Sequence, residues 1–270
     1  MQTFTASDGA RLAFYIDDFT YPWMRAPTLL LLHAAMGSAK RYYAWVPALA
    51  RHYRVVRLDL RGHGASEIPP ANSPLTLDRL VADVTELMGH LGLASTHIVG
   101  NSAGGYLGQQ LAMHHGERVR SLMLFGSTPG LKNSQAPGWI PQIAQKGLRG
   151  FLAETIAERL PLDKVDPGLV EWFLDEAAKN DPAYIGKFVL LMAGYDWSGE
   201  LGRIRCPALV VVPGAEPIGS TANYEPFRRL VPDVEMRVYE GAPHNICDAF
   251  PDRCVADVLD FLGRRFGLGA

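Results

Sequence analysis

Cysteine is scarce in this chain. Cys206, Cys247 and Cys254 are the only three, and no two are spaced C-x-x-C. An odd, scattered set excludes a disulfide framework and a cysteine-built zinc site, so the thiols read as reduced, in a cytoplasmic protein. H-E-x-x-H and H-x-x-E-H are also missing, and no metal is expected. Long apolar runs are lacking: the longest, around Leu29 to Leu32, falls far short of a bilayer. Met1 to Asp8 offers no basic segment leading into an apolar one, so neither a secretory leader nor a membrane association is expected. Excess charge of one sign is absent as well. The net charge is -2 with acids and bases intermixed, which argues against nucleic acid and anionic lipid as partners.

What is present is the composition of a globular protein. Of 270 residues, 48% are hydrophobic and 20% charged, enough apolar material for a substantial core. Arg11 to Ile16 alternates like an antiparallel edge strand. Thr28 to Leu32 is continuously apolar after its threonine, as a strand buried on both faces must be. Further strands are expected at Tyr53–Leu58, Thr96–Gly100, Val119–Phe125, Cys206–Val212 and Val234–Tyr239. Helical spacing lies between most of them: Ala39–His52, Leu75–Leu93 with Thr76 or Asp78 as N-cap, Tyr106–His115, Asn223–Leu230 and Asp248–Phe266. That alternation predicts a doubly wound, mostly parallel sheet with helices on both faces. It stops between Gly130 and Trp197, where helical patterns follow one another without a strand. The expected organisation is one α/β core, residues 1–129 and 198–270, with a helical cap at 130–197 over the strand ends, where open α/β sheets bind ligands.

The stretch Gly100-Asn101-Ser102-Ala103-Gly104-Gly105 joins a β-branched strand to a helix-competent segment. G-x-S-x-G alone is a weak signal in a chain with 27 glycines. Between a strand and a helix it describes a tight turn that lifts the serine out of the sheet, with free helix N–H groups behind it. Ser102 is therefore the candidate nucleophile. A serine needs a base, and the base needs a group that holds its tautomer. Among eight histidines, only His33, His63 and His244 follow strands. His33 suits bracing of its own loop. Asp59 and Arg61 suit an ion pair in the loop that carries His63. His244, in the turn after the last strand, is the expected base. The acid should follow a strand between Ser102 and His244. Glu216 does so directly, and Asp196, ahead of that strand, is its rival. Oxyanion donors are expected from the amide of Ala103 and from Ala35, with Met36 as the alternative.

Together, His33-Ala34-Ala35-Met36-Gly37, the run Asp59 to Ser66, the Ser102 turn and Pro243-His244 resemble the α/β-hydrolase superfamily over almost the whole chain. The chain looks most like the cofactor-free bacterial branch of 3-oxoadipate enol-lactonases, small carboxylesterases and meta-cleavage C–C hydrolases. The resemblance implies an α/β-hydrolase fold of about eight strands, a Ser–acid–His triad, no cofactor and a small-molecule substrate. The leading expectation is cleavage of an ester or lactone. C–C bond hydrolysis by the same triad is the alternative, and a non-catalytic ligand receptor is a third reading. Two departures stand out: His33-Ala34 replaces His-Gly, and Gly214-Ala215-Glu216-Pro217 replaces Gly-x-x-Asp, as if the aspartate were deleted. Basic residues of the cap (Lys146, Arg149, Arg159, Lys187) could recognise a substrate carboxylate, but a solvated helix face is the simpler reading.

Overall fold

The computed structural model describes residues 1–132 and 134–268. Eight strands make one sheet: β1 (Gln2–Thr5), β2 (Arg11–Asp17), β3 (Thr28–Leu32), β4 (Arg54–Leu58), β5 (Thr96–Asn101), β6 (Val119–Phe125), β7 (Ala208–Pro213) and β8 (Val234–Tyr239). They lie in the order β1-β2-β4-β3-β5-β6-β7-β8. β1 with β2 and β2 with β4 are antiparallel, and the remaining pairs are parallel. This is the α/β-hydrolase architecture expected from the sequence. The helices are α1 (Val46–Leu49), α2 (Leu77–His90), α3 (Ala103–His114), α4 (Trp139–Glu154), α5 (Pro167–Ala178), α6 (Pro182–Ala193), α7 (Glu225–Leu230), α8 (Ile246–Ala249) and α9 (Pro251–Phe266).

Period-two alternation splits the strand leucines between two cores. Leu30 and Leu32 pack with Leu80, Leu107 and the α4–α6 aromatics. Leu29 and Leu31 face the other way, toward Trp45, Ile246 and Phe261. All four leucines of β3 are at most 1% exposed, each worth about 1.5–3 kcal/mol relative to exposure.

Prolines account for two departures from the expected helices. The single helix expected over Ala39–His52 is instead a 3-10 turn, Ala39–Tyr42, followed by the one-turn α1. Pro47 cannot donate to the carbonyl four residues back, so the helix restarts with proline in its first turn. The helix expected from Asp248 is split into α8 and α9 at Pro251. The Cys247 carbonyl that Pro251 cannot serve accepts the Trp45 indole N–H instead, at 3.0 Å. β1 was not anticipated: of its four residues only Phe4 is buried, too short a pattern to read. Thr76 does cap α2, its hydroxyl accepting the Arg79 amide at 3.1 Å.

The α4–α6 segment leaves the sheet after β6 and returns before β7 through a single neck. Gly130 and Asp196 form an antiparallel bridge, and the Trp197 amide donates to the Pro129 carbonyl at 3.0 Å. Gly130 has φ +115°, and a Cβ there would stand 2.3 Å from the Tyr195 oxygen, so only glycine lets the two chains pass this closely.

Candidate active site

Ser102 sits between β5 and α3 with φ 48° and ψ −114°, a combination that L-residues avoid and that surrounding contacts must enforce. Two glycines allow it. A Cβ on Gly100 would lie 2.3 Å from the Gly105 Cα, and one on Gly104 would lie 2.1 Å from the Leu32 carbonyl oxygen. The first close approach tightens the turn. The second seats α3 against the end of β3. The turn is braced from β6: the Ser102 amide donates to the Phe125 carbonyl at 3.0 Å. The Ser127 hydroxyl donates to the Ser102 carbonyl at 2.8 Å.

Ser102 Oγ lies 3.0 Å from His244 Nε2. On the other side of the ring, His244 Nδ1 meets both oxygens of Glu216, at 2.9 and 2.8 Å. With a carboxylate at Nδ1, that nitrogen carries the proton and Nε2 is left as the acceptor toward serine. Glu216 is itself held by the amides of Ile218 and Gly219 and by the Tyr224 hydroxyl. Burial pushes its carboxyl up, but His244 and the two amides outweigh this and hold it below the usual range. The three expected residues thus meet. Parallel pairing of β7 with β8 places Pro213 opposite Tyr239, so the turns after the two strands lie side by side. Glu216 stands one position ahead of the aspartate of a Gly-x-x-Asp pattern, and its side chain reaches His244 Nδ1. Asp196 is exposed at the neck, where it accepts the Ser198 amide. Tyr224 and Ser127 are positioning residues that sequence reading missed, since neither belongs to a spaced motif.

As the first helical residue, Ala103 has an amide with no carbonyl four residues back. Among the described residues the amides of Ala103, Ala35 and Met36 carry no hydrogen bond. All three residues line one cavity with Ser102 and His244. His33 braces this loop as expected. Its Nδ1 donates to the Ala34 carbonyl at 2.7 Å, and its Nε2 accepts the Leu60 amide at 3.0 Å. Fully buried, it is held neutral by desolvation, its pKa lowered to about 4.

Asp59 and Arg61 do not pair with each other. Asp59 accepts the amides of Ala39 and Ala65, fixing two loops, while Arg61 pairs with Asp83 and Asp8. Their shared loop turns sharply after Asp59, so the two side chains point to different neighbours. The basic residues of the insertion also divide. Lys146, Arg149 and Lys187 lie toward solvent, with Glu154, Glu171 and Asp175, and the Ala71 carbonyl as partners. Arg159 does not: it is 5% exposed and lines the cavity, contrary to the solvated-face reading. The rest of the wall is largely apolar, with Trp139, Leu152, Phe173 and Phe188 from the insertion. Among the described residues no cluster of His, Cys, Asp and Glu has metal-binding geometry. No helix there is long and apolar enough to cross a membrane.

Comparison with known proteins bears on the same stretch. Residues 27–163 match the family model described as alpha/beta hydrolase fold. A non-heme haloperoxidase of Rhodococcus erythropolis is 26% identical, over 96% of this chain and 98% of that one. Among solved structures, a hydrolase from Pseudomonas aeruginosa superposes with a TM-score of 0.86 at 30% identity, covering 97% of this chain and 98% of the other. The enol-lactonase of Burkholderia xenovorans does so with a TM-score of 0.86 at 25% identity, covering 97% and 99%.

Proposed function

Because the chain belongs to the alpha/beta hydrolase fold family, we propose that it is a serine hydrolase cleaving an ester or lactone of a small organic acid. The observation that carries this reading is the continuous chain from Ser102 Oγ through His244 to Glu216, at a cavity that also presents free amides. Ser102 Oγ attacks the carbonyl carbon as His244 Nε2 takes its proton. Charge developing on the carbonyl oxygen falls to the amides of Ala103 and Ala35, with Met36 next in the loop. Such donors each contribute about 10²- to 10³-fold in kcat. The imidazolium, oriented and stabilised by Glu216, returns the proton to the leaving oxygen. The acyl-enzyme forms, and a water activated by the same histidine releases the acid and restores Ser102. For a lactone the leaving oxygen stays on the acyl chain, so the product is one hydroxy or keto acid.

Residues 130–197 act as the cap in this proposal, their aromatic side chains excluding water from the acyl-enzyme and fitting the acyl group. Small-molecule ligands suit the site. The contact of Glu216 with His244 supports the hydrolase reading over the receptor reading.

The test is hydrolysis of a p-nitrophenyl acyl chain-length series by wild type, Ser102→Ala and Glu216→Gln. Turnover of short esters that disappears in Ser102→Ala supports the reading. Inertness of folded wild type across esters and lactones overturns it, and cleavage of a vinylogous 1,5-diketone by that same protein would assign C–C hydrolysis instead.

A further inference from the structure

We propose that the loop between β2 and β3 is a membrane-surface anchor, and that its partner is an anionic phospholipid bilayer. Phe19, Tyr21, Trp23 and Met24 fall within one short stretch of that loop, and they stand 66%, 56%, 79% and 46% exposed. A single large apolar side chain in solvent needs no explanation, but a contiguous group of them marks an interaction site. The loop is held in this form by its own bonds. The Asp18 carboxylate accepts the Thr20 amide and hydroxyl, at 3.1 and 2.7 Å. The Met24 amide donates to the Tyr21 carbonyl at 2.9 Å, and the Tyr21 and Trp23 rings stack with centroids 5.0 Å apart. The aromatic tip is thus ordered in advance, and little freedom is left for a partner to remove.

Cations stand at the base of the loop. The Phe19 amide donates to the Ala50 carbonyl at 2.9 Å, and the Arg54 amide donates to the Pro27 carbonyl at 3.1 Å. These two bonds bring Arg51 and Arg54 beside a loop that itself carries Arg25. Among the described residues none of the three arginines has an ion pair. Of the two neighbouring acids, Asp17 is taken by Arg57 at 2.8 Å, which leaves Asp18 alone against three arginines. The net charge of -2 averages over the whole chain and hides this local excess.

An aromatic tip with unpaired cations behind it is complementary to an anionic bilayer. Tyr and Trp settle at headgroup depth, where one end of the ring is apolar and the other wet, and arginines there meet lipid phosphates. A protein partner fits less well, because a stable interface takes about 20–30 residues a side and this tip is far smaller. The position of the loop also sets an orientation. It leads into the N-terminal end of β3, whereas Ser102 follows the C-terminal end of the neighbouring parallel β5. About 16 Å of strand separates the two ends, so an anchored molecule keeps its cavity turned away from the lipid.

The test needs no substrate and is independent of the hydrolase reading. Co-sedimentation of the full chain is compared on vesicles of phosphatidylcholine and phosphatidylglycerol in equal parts and on vesicles of phosphatidylcholine alone. Wild type should partition at least about 10-fold more strongly onto the anionic vesicles, and added salt should weaken that binding. Phe19→Ser combined with Trp23→Ser should weaken it about 10-fold or more, through lost insertion of the rings. Arg25→Glu combined with Arg51→Glu should weaken it about 10- to 100-fold, through reversed charge. All four positions are exposed, so far-UV circular dichroism should not change in either variant. No binding of wild type to anionic vesicles overturns the proposal. So does binding indifferent to either pair of substitutions, the outcome if charge scattered over the surface merely adsorbs to lipid. A concentration-dependent dimer in sedimentation velocity, abolished by the aromatic pair, also overturns it, because a second copy of the chain would then cover the tip.

Discussion

The strand ends and the segment carrying α4–α6 both wall the cavity, and they are held in different ways. At the strand ends, backbone meets backbone. Gly104 packs on the Leu32 carbonyl, Gly100 on Gly105, and the Ser102 turn is bonded both to the end of β6 and to the loop that follows it. The insertion meets the rest through side chains, one neck at Gly130 and Asp196, and the pair of bonds from Glu158 and Arg159 to the histidine turn. The lesson is a division of labour. Reacting atoms need placement within fractions of an ångström, which close backbone contact supplies. A substrate wall needs shape and charge, which replaceable side chains supply.

The sharpest attempt to break this comparison is at the nucleophile. Ser102→Ala should lower kcat about 10⁵- to 10⁶-fold with the fold intact, read by ester turnover and far-UV circular dichroism. A loss below about 100-fold would remove Ser102 from the chemistry. Glu216→Gln comes next, with a fall of about 10³- to 10⁴-fold, because the amide no longer selects the Nδ1–H tautomer of His244. Glu216→Asp sharpens the point. The turn is a residue short, so the shorter acid should also lose at least about 10-fold.

Gly104→Ala tests the backbone contact directly. A Cβ 2.1 Å from the Leu32 oxygen should destabilise the protein by roughly 3 kcal/mol or more, since backbone on both sides has no room to yield. Chemical denaturation measures it, and a cost under about 1 kcal/mol would mean that the strand ends are softer than their geometry indicates. In the insertion, Trp139→Ala should raise KM for longer acyl chains about 10-fold while kcat changes a few-fold. A larger effect on kcat than on KM would dissolve the division between the two regions.

The smallest effect concerns pH and the seam itself. His63 packs edge-on against Phe188 and Tyr184 of α6, at ring distances of 4.9 and 5.9 Å. Burial lowers its pKa to about 3, and the nearby His33 and Arg61 carbonyl act on it in opposite senses. An unfolded chain takes up this proton near pH 6.5, whereas the folded one does not until about pH 3. The unfolded state therefore binds more protons between those values, and stability falls as pH is lowered through that window. His33 and His97, each lowered to about 4 mainly by burial, add the same sign. Tm should fall from pH 7 to pH 5, with a shallower slope in His63→Gln. A flat Tm profile would contradict the buried, neutral state of these rings.

Much of this was legible before any coordinates. Continuous apolar runs named the parallel strands, and a strand–glycine–helix pattern named the serine turn. Position after the last strand named His244. Those signals are local, because period, glycine content and chain order all act over a few residues. Helix extents were less legible. Pro47 and Pro251 interrupt patterns whose spacing alone looked continuous, and β1 offered one buried residue as its signal.

The amino-acid sequence by itself determined the sheet, the strained turn at Ser102 and the placing of His244, since each follows from side-chain period and backbone sterics. Only the tertiary structure brought Glu216 and not Asp196 to His244, separated Asp59 from Arg61, and moved Arg159 from solvent into the cavity. Each of those outcomes depends on two segments distant in the chain meeting at a given angle. Glu216 reaches His244 because β7 and β8 pair in one register, and Arg159 is buried because its backbone bonds the turn after β8. No local pattern encodes such a meeting; the packing of the whole chain does.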